Sequence, residues 1–272
     1  MALQRVEDPE SGVTWYCFVD SPAPVRGNAQ SSPGFRHALI TRLGGASQAP
    51  FASLNLGSTV GDDQTAVEEN HRRLFSALGL ARSGVVSPHQ VHSAHVASVG
   101  RNHRGKVIPA TDALITDQTG IALLLRFADC LPVLFYDPIH RAVGLAHAGW
   151  RGIASGVFPA TVTQMSHAFG SDPRDLWAGI GPGIGKDHYP VSKAVVDAIH
   201  ETLPPNIHVA SQDAGQWFLD LQGAVNAQLS ALGIQRIDRA DICTACRTDE
   251  WYSHRAEGGK TGRFGALIAL GG

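Results

Sequence analysis

Two residues able to do chemistry end neighbouring apolar runs of the chain, in the stretch FADCLPVLFYDPIHRAVGLAHAGWRG at residues 127–152. Cys130 stands two residues before Pro132, which biases its predecessor towards extended geometry and withholds its own amide from a ladder. This predicts a strand edge or connection at Cys130. His147 ends the run AVGLAHA, and Gly149 behind it allows close approach of a backbone or ligand. A free cysteine is often only a small buried hydrophobe, but the hairpin-like spacing of the pair favours a shared site.

Three histidines recur at intervals of three residues in HQVHSAH, as His89, His92 and His95. The neighbouring Val91 and Val96 favour a strand over this stretch. On a strand, His89 and His95 would share one face and His92 would point to the other. We therefore expect at most one or two of these histidines to serve a single site.

Two kinds of chemistry fit the cysteine and the histidines. A dyad of Cys130 and His147 would make a thiolate nucleophile. With His92 as a third ligand from a separate strand, the set would instead form a zinc site whose fourth position stays open for water or substrate. Zinc lowers the pKa of a bound water to about 7. We predict the zinc site, with His92, Cys130 and His147 as metal ligands and catalytic residues, and with copper as an alternative metal.

Candidate anion contacts lie elsewhere in the chain. Arg151 stands at the start of a predicted helix, where free amides and the helix dipole attract anions. Arg42 in TRLGG and Asn55 in FASLNLG are further candidates for binding substrate or phosphate. The stretch GIGPGIG at residues 179–185 lacks the Lys-Ser/Thr of a P-loop and predicts a loop that approaches the pocket through its backbone. Residues 243–246 have CxxC spacing without a second pair, a weak signal for a structural zinc knuckle.

Composition excludes several classes of protein. The 272 residues are 43% hydrophobic and 17% charged, with a net charge of −2, which predicts a sizeable core and disfavours nucleic acid or a membrane surface as partner. Four cysteines are too few for a disulfide scaffold at this length. No secretory signal and no apolar run of about 20 residues is visible, so we expect a cytoplasmic protein with reduced thiols.

Apolar patterning predicts one catalytic domain over residues 1–272, with an irregular N-terminal segment to about residue 34 that includes a Pro-, Ser- and Gly-rich loop from residue 20. The predicted helices cover residues 157–169, 192–203 and 221–232, and a first helix is capped by Asp62 or Asp63 and closed at Gly79. The predicted strands are Val13–Phe18, HALITRLGG, VHSAHVASV, DALIT, IALLLRF, PVLFY, AVGLAHA, WAGIG and RFGALIAL. The run IALLL does not alternate, which indicates burial on both faces. The fold class is α+β (mixed α/β).

The sequence resembles, motif by motif, the bacterial multicopper polyphenol oxidoreductases, or laccase-like proteins, now described as purine nucleoside phosphorylases. The resemblance covers residues 35–270 and rests on TRLGG, FASLNLG, GDD, QVHS, DALIT, ADCLPVLFYDP, AHAGWRG, GIGPGIG and the terminal SHR and TGR. It implies zinc held by His92, Cys130 and His147, the trio favoured above. It also implies mixed β-sheets packed together and flanked by helices, similar to cysteine-hydrolase-like toxin domains. Phe127 and Gly183 depart from the family pattern at positions that bear on substrate preference.

The resemblance implies phosphorolysis of adenosine, inosine, guanosine and methylthioadenosine, together with zinc-dependent adenosine deaminase activity. The partners are then small purine nucleosides and phosphate, and we expect a monomer or weak homodimer. The alternatives are a Cys–His thiol hydrolase, a copper-dependent polyphenol oxidase and a partner-binding protein. Trinuclear copper centres use paired His-x-His segments, and none of the 13 histidines here stands two residues from another.

Overall fold

A computed structural model describes residues 3–19 and 34–271 of the chain, which contain both strands and helices. Within that range the α-helices are α1 (Gln64–Ala77), α2 (Trp150–Ala154), α3 (Val157–Phe169), α4 (Lys193–His200) and α5 (Leu221–Ala231). The strands are β1 (Leu3–Glu7), β2 (Thr14–Phe18), β3 (Phe35–Ile40), β4 (Val85–Pro88), β5 (Val96–Ser98), β6 (Val107–Ile108), β7 (Ala113–Thr116), β8 (Ala122–Phe127), β9 (Leu131–Asp137), β10 (Ala142–Ala148), β11 (Trp177–Ile180), β12 (Pro190–Val191), β13 (Ala210–Asp213), β14 (Gln216–Leu219), β15 (Arg236–Arg239) and β16 (Phe264–Leu270). None of the helices in this range is long and apolar enough to cross a bilayer.

The strands form two large mixed sheets and one small sheet. The seven-stranded sheet has the order β1-β2-β3-β16-β8-β4-β6, and the six-stranded sheet has the order β15-β11-β9-β10-β7-β5. The three-stranded sheet has the order β12-β14-β13. Both large sheets combine antiparallel pairs with parallel ones, such as β4 with β8 and β5 with β7. Mixed sheets flanked by helices are the predicted fold class, which is confirmed.

The core lies in layers because the central strands bury both faces. In β8, Leu123 and Leu125 belong to a cluster that also contains Leu134 and Leu145 of the six-stranded sheet. Leu124 points the other way, into the cluster that holds the apolar face of α1. A strand covered on both sides has no polar face, which explains why IALLL does not alternate.

Helix α1 begins and ends where the sequence indicates. The Asp63 side chain accepts a hydrogen bond from the amide of Thr65, so this carboxylate satisfies one of the free amides of the first turn. Gly79 beyond the last turn has a φ of 61°, a left-handed conformation that favours glycine. Leu74 and Phe75 bury the inner face against the seven-stranded sheet.

Two predictions about local structure are wrong. The N-terminal segment that was predicted to be irregular contains two strands, β1 at residues 3–7 and β2 at residues 14–18. The sequence predicted β2, as the run ending at Phe18, but not β1. β1 is an edge strand whose side chains are mostly exposed, so its sequence has no run of apolar residues that would predict a strand. Its backbone hydrogen bonds to β2 stabilise it. The predicted loop at residues 20–34 falls almost entirely outside the described residues. Of the strand predicted over VHSAHVASV, only β5 forms, and His92 lies in the loop before it.

Candidate functional site

Cys130 and His147 meet because β9 and β10 pair as an antiparallel hairpin. The register sets His147 opposite Pro132, and Cys130 stands one residue before β9. The antiparallel connection of two short strands therefore brings a cysteine and a histidine 17 positions apart in sequence to the same end of the sheet. This location at a strand end follows the sequence prediction.

His92 reaches the pair from a separate loop that a buried carboxylate holds in place. Asp112 accepts hydrogen bonds from the amides of Val91, His92 and Ser93 at 3.1, 2.9 and 2.7 Å. His92 has a φ of 61°, which is uncommon for a residue with a Cβ. The alternation predicted for a strand is therefore wrong here, because a loop wrapped around Asp112 decides where the ring lies.

Asp112 also orients His147. Its Oδ1 lies 2.9 Å from Nδ1 of His147, and both side chains are buried. An ionised carboxylate only accepts hydrogen bonds, so Nδ1 donates to Asp112 and Nε2 is the ring nitrogen left to bind a metal. Burial alone would raise the pKa of Asp112, but hydrogen bonds from His147 and Ser93 hold it well below its usual range. The sequence analysis missed this residue, although it opens the quoted motif DALIT.

The structure brings together the three residues predicted to bind metal. The side-chain ligand atoms of His92, Cys130 and His147 all lie within 4.8 Å of one another. Exposure falls from His92, which faces solvent, through half-buried Cys130 to buried His147. The trio is therefore open on one side, as a site that admits a small molecule requires.

Gly149 leaves the space in which the three side chains meet. A Cβ at this position would lie 2.9 Å from Sγ of Cys130 and 3.1 Å from Cδ2 of His92. The first distance is shorter than any ordinary contact, so a larger residue would push the cysteine or the histidine aside. This close approach is the role predicted for Gly149.

Cys130 and His147 form a charged pair in the absence of a metal. Burial raises the pKa of the Cys130 thiol, but the charge and hydrogen bond of His147, together with His92, lower it to about 6. Burial likewise lowers the pKa of His147, but the Cys130 charge and the Asp112 hydrogen bond raise it to about 9. A thiolate at neutral pH is the form that acts as a nucleophile or as a metal ligand.

Asp129 joins the terminal motif SHR, residues 253–255, to this site. Its carboxylate accepts hydrogen bonds from Oγ1 of Thr244 at 2.8 Å, Oγ of Ser253 at 2.6 Å and the amide of Arg255 at 2.7 Å. Asp129 has a φ of 81°, and it immediately precedes Cys130. The sequence left the motif SHR without a role, and the structure makes it a support for the backbone at the cysteine.

Arg42 and Asn55 are already engaged by the protein. The Arg42 guanidinium donates to the carbonyls of Ala52 and Thr248 at 2.7 Å each and to Glu257 at 3.0 Å. Asn55 is fully buried, and both its oxygen and its amide nitrogen are in hydrogen bonds. Asn55 Oδ1 also accepts from the Arg263 amide at 2.8 Å, so we expect it to position Arg263 rather than to touch phosphate.

Arg151 is placed differently from these two residues. It is exposed in α2, and its guanidinium lies 4.6 Å from the centre of the Trp150 ring. It stands two residues after Gly149, where a Cβ would lie 2.9 Å from Sγ of Cys130. Burial lowers the pKa of Arg263, while the charges of Cys130 and Asp129 favour its charged form. Arg263 belongs to the motif TGR, to which the sequence assigned no role, and it is a further candidate cation.

The remaining sequence candidates are not among the three ligands. His89 and His95 are exposed, and Nδ1 of His95 pairs with the Ala110 carbonyl at 3.1 Å. The glycine-rich loop approaches the site through its backbone, because the Ile184 amide donates to the Asp129 carbonyl at 2.9 Å.

The comparisons with known proteins cover nearly the whole chain. The sequence profile of the family described as multi-copper polyphenol oxidoreductase laccase matches residues 36–271. The purine nucleoside phosphorylase YlmD of Geobacillus stearothermophilus is 40% identical over 255 residues, which span 90% of this chain and 93% of that protein. A purine nucleoside phosphorylase of Pseudomonas aeruginosa is 37% identical over 92% of this chain and 96% of its own length.

Solved structures share the fold. The crystal structure of YlmD from Geobacillus stearothermophilus has a TM-score of 0.85 and 39% identity, covering 88% of this chain and 93% of that one. The crystal structure of the hypothetical protein YfiH from Bacillus licheniformis has a TM-score of 0.84 and 31% identity, with coverage of 92% and 99%.

Proposed function

Because the chain belongs to the multi-copper polyphenol oxidoreductase laccase family, we propose that it is a purine nucleoside phosphorylase, as the names of its relatives state for them. The reaction joins a phosphate oxygen to C1′ of the sugar and breaks the C1′–N9 bond. The purine leaves with a proton from the phosphate, and the sugar becomes ribose 1-phosphate, or 5-methylthioribose 1-phosphate from methylthioadenosine. The proposed substrates are adenosine, inosine, guanosine and methylthioadenosine. The observation that carries the proposal is the open cluster of His92, Cys130 and His147.

The donor set of this cluster fits zinc. Two imidazoles and one thiolate are ligands that zinc prefers, and catalytic zinc sites combine three protein ligands with one open position. Tetrahedral bonds of about 2.0–2.3 Å place neighbouring ligand atoms roughly 3.3–3.6 Å apart, within the observed limit of 4.8 Å. The bond from His147 to Asp112 is the outer-shell contact that metal-binding histidines make. Copper accepts the same nitrogen and sulfur donors and is the alternative metal.

Zinc held here would polarise a substrate atom or lower the pKa of a bound water to about 7. The chain's own part is to fix the geometry: Asp112 holds both the loop of His92 and the ring of His147. The exposed side of His92 leaves a path by which a nucleoside reaches the open position.

Phosphorolysis also requires cations for the phosphate. Its transition state carries positive charge on the ribose and negative charge on the departing purine, so fixed donors must hold phosphate beneath the sugar. We assign this role to Arg151 first, because it is exposed and stands two residues after Gly149, which lies against Cys130. Arg263 is the second candidate, and Arg42 and Asn55 support the loops around it.

Adenosine deamination is a second proposed activity of the same open position. Water replaces the amino group at C6 of adenosine, giving inosine and ammonia, and zinc deaminases perform this chemistry with a metal-activated water. The activity needs the same three ligands but no phosphate. Omission of phosphate therefore separates the two reactions.

A thiol hydrolase remains a second candidate because one observation favours it. Asp112, His147 and Cys130 form the chain of orienting acid, base and nucleophile that cysteine hydrolases use. Alkylation with iodoacetamide followed by peptide mapping of Cys130 distinguishes the two. A zinc-bound thiolate is protected and a free catalytic thiolate is modified.

The donor set gives less support to polyphenol oxidation. Among residues 3–19 and 34–271, the groups able to hold a metal are two sets of three residues, and no His-x-His pair occurs in the chain. A trinuclear copper centre needs more imidazoles in one place. The family description is therefore a weaker guide to activity than the names of the relatives. We further propose a cytoplasmic protein with one catalytic domain, acting as a monomer or weak homodimer.

The test is a product assay on pure, zinc-loaded protein. Each nucleoside is incubated with and without inorganic phosphate, and free base, the corresponding sugar 1-phosphate and inosine are measured by mass spectrometry. We expect base release that requires phosphate and falls on the order of a hundredfold in His147→Ala. His167→Ala changes an exposed histidine on α3 and is the matched control. Base release that does not require phosphate, or wild-type base release by His147→Ala, would contradict the proposal.

A further inference from the structure

A second cluster of metal-binding side chains lies outside the trio. The ligand atoms of His188, Cys243 and Cys246 all lie within 4.8 Å of one another. His188 and Cys246 are exposed and Cys243 is half-buried, so the cluster opens to solvent. None of these residues takes part in the site described above.

Two separate segments of the chain build this cluster. Cys243 and Cys246 stand in one turn, in which the Arg247 amide donates to the Cys243 carbonyl at 3.1 Å. His188 ends a short 3₁₀ turn over Lys186–His188, more than fifty residues earlier in the chain. A CxxC turn completed by a histidine from a distant segment is the donor pattern of zinc sites, and a third ligand is what the sequence spacing alone did not provide.

The backbone contacts the sulfur of the first cysteine. The Gly185 amide donates to Sγ of Cys243 at 3.1 Å, and an N–H donor at sulfur stabilises its negative charge. A Cβ at Gly185 would lie 3.0 Å from this sulfur, so glycine permits the contact.

We propose that His188, Cys243 and Cys246 bind a thiophilic divalent cation such as Zn²⁺, as a second metal site. Tetrahedral zinc separates two thiolates by roughly 3.8 Å and a thiolate from an imidazole by roughly 3.6 Å, and both distances fit the cluster. Binding releases the two thiol protons and forms two metal–sulfur bonds and one metal–nitrogen bond. Because the cluster is exposed, this ion exchanges with chelators faster than an ion held by the trio.

The second site is connected to the first through a short stretch of backbone. The Ile184 amide bonds to the Asp129 carbonyl beside Cys130, and the next amide, of Gly185, bonds to Cys243. Thr244 bonds Asp129 through its hydroxyl. An ion at the second site therefore restrains the same segment that supports Cys130.

The test is metal stoichiometry on the full chain. Wild type, Cys243→Ser/Cys246→Ser and His147→Ala are purified with a phosphine reductant, equilibrated with Zn²⁺, desalted and measured by elemental analysis. We expect about two equivalents in wild type and about one in each variant. Serine keeps an acceptor for the Gly185 amide, and circular dichroism verifies folding.

A second readout keeps the test decisive if a variant folds poorly. Co²⁺ added to wild type gives thiolate charge-transfer absorption in the near ultraviolet, and we expect two binding phases. A His188→Ala variant, altered at an exposed position, should lose one phase. One equivalent of metal in wild type, equal metal in wild type and the double variant, or a Cys243–Cys246 disulfide after reduction would each overturn the proposal.

Discussion

Replacing Asp112 with asparagine tests how one buried carboxylate organises the site. Its Oδ1 accepts from the His92 amide and from Nδ1 of His147, and its Oδ2 accepts from the amides of Val91 and Ser93. Asparagine has one acceptor and one donor group, so in either orientation an NH₂ group faces N–H donors. If it faces His147, the imidazole must move its proton to Nε2, which then no longer binds a metal.

The magnitude follows from the loss of this outer-shell contact. Removing the partner of a metal-binding histidine costs about 10–100-fold in metal affinity, equal to about 1.4–2.7 kcal/mol. Donors left unpaired in the interior cost about 1–3 kcal/mol of folding stability in addition. Asp112→Asn should therefore weaken both zinc binding and the metal-free fold.

The assay is competition for zinc against a chromophoric chelator, with urea unfolding of the metal-free protein measured in parallel. Asp249→Asn is the matched control, because this carboxylate is exposed and, within residues 3–19 and 34–271, its ion pair is the long one with Arg247 at 3.6 Å. We expect the control to match wild type in both measurements. Wild-type zinc affinity in Asp112→Asn would refute the assigned role of this carboxylate.

Three further predictions concern stability. Gly183→Ser should lower the free energy of unfolding, measured with urea, by about 1–3 kcal/mol, because the serine Cβ would lie 2.4 Å from Cδ2 of Leu131. An unchanged free energy of unfolding would contradict this packing. Asp63→Ala should lower the free energy of unfolding by about 1 kcal/mol, because α1 loses its N-terminal cap. Asp249→Asn should leave the free energy of unfolding unchanged. His37 is buried with its pKa lowered by burial to about 4, so the unfolded chain binds a proton below pH 6.5 that the folded chain does not. The free energy of unfolding of wild type should therefore fall by about 3 kcal/mol more than that of His37→Gln as pH falls from 6.5 to 4. Parallel curves of unfolding free energy against pH for the two proteins would contradict this.

The sequence predicted the parts of the site that local pattern determines. Cys130 and His147 end two apolar runs with hairpin spacing, and a hairpin needs only neighbouring segments and a turn. Asp63 and Gly79 bound α1 because caps act within one turn. The positions of these residues were therefore accessible without knowledge of the tertiary fold.

The rest depends on contacts between distant segments. Asp112 looks like an ordinary residue before a strand, and its role arises only where the loop of His92 meets β10. The same loop overrides the strand propensity around His92. Cys246 gains a histidine partner from a segment far away in sequence, so its CxxC spacing alone was a weak signal. Long-range pairing also decides the sheet order, in which the last strand, β16, lies between β3 and β8.

The most direct test of the central claim is X-ray absorption at the zinc edge, on Cys243→Ser/Cys246→Ser protein loaded with one equivalent of zinc. This variant leaves the trio as the thiolate-containing metal cluster of the described residues. We predict one sulfur neighbour at about 2.3 Å and three nitrogen or oxygen neighbours at about 2.0–2.1 Å. A spectrum without a sulfur neighbour would contradict zinc binding by Cys130 between His92 and His147.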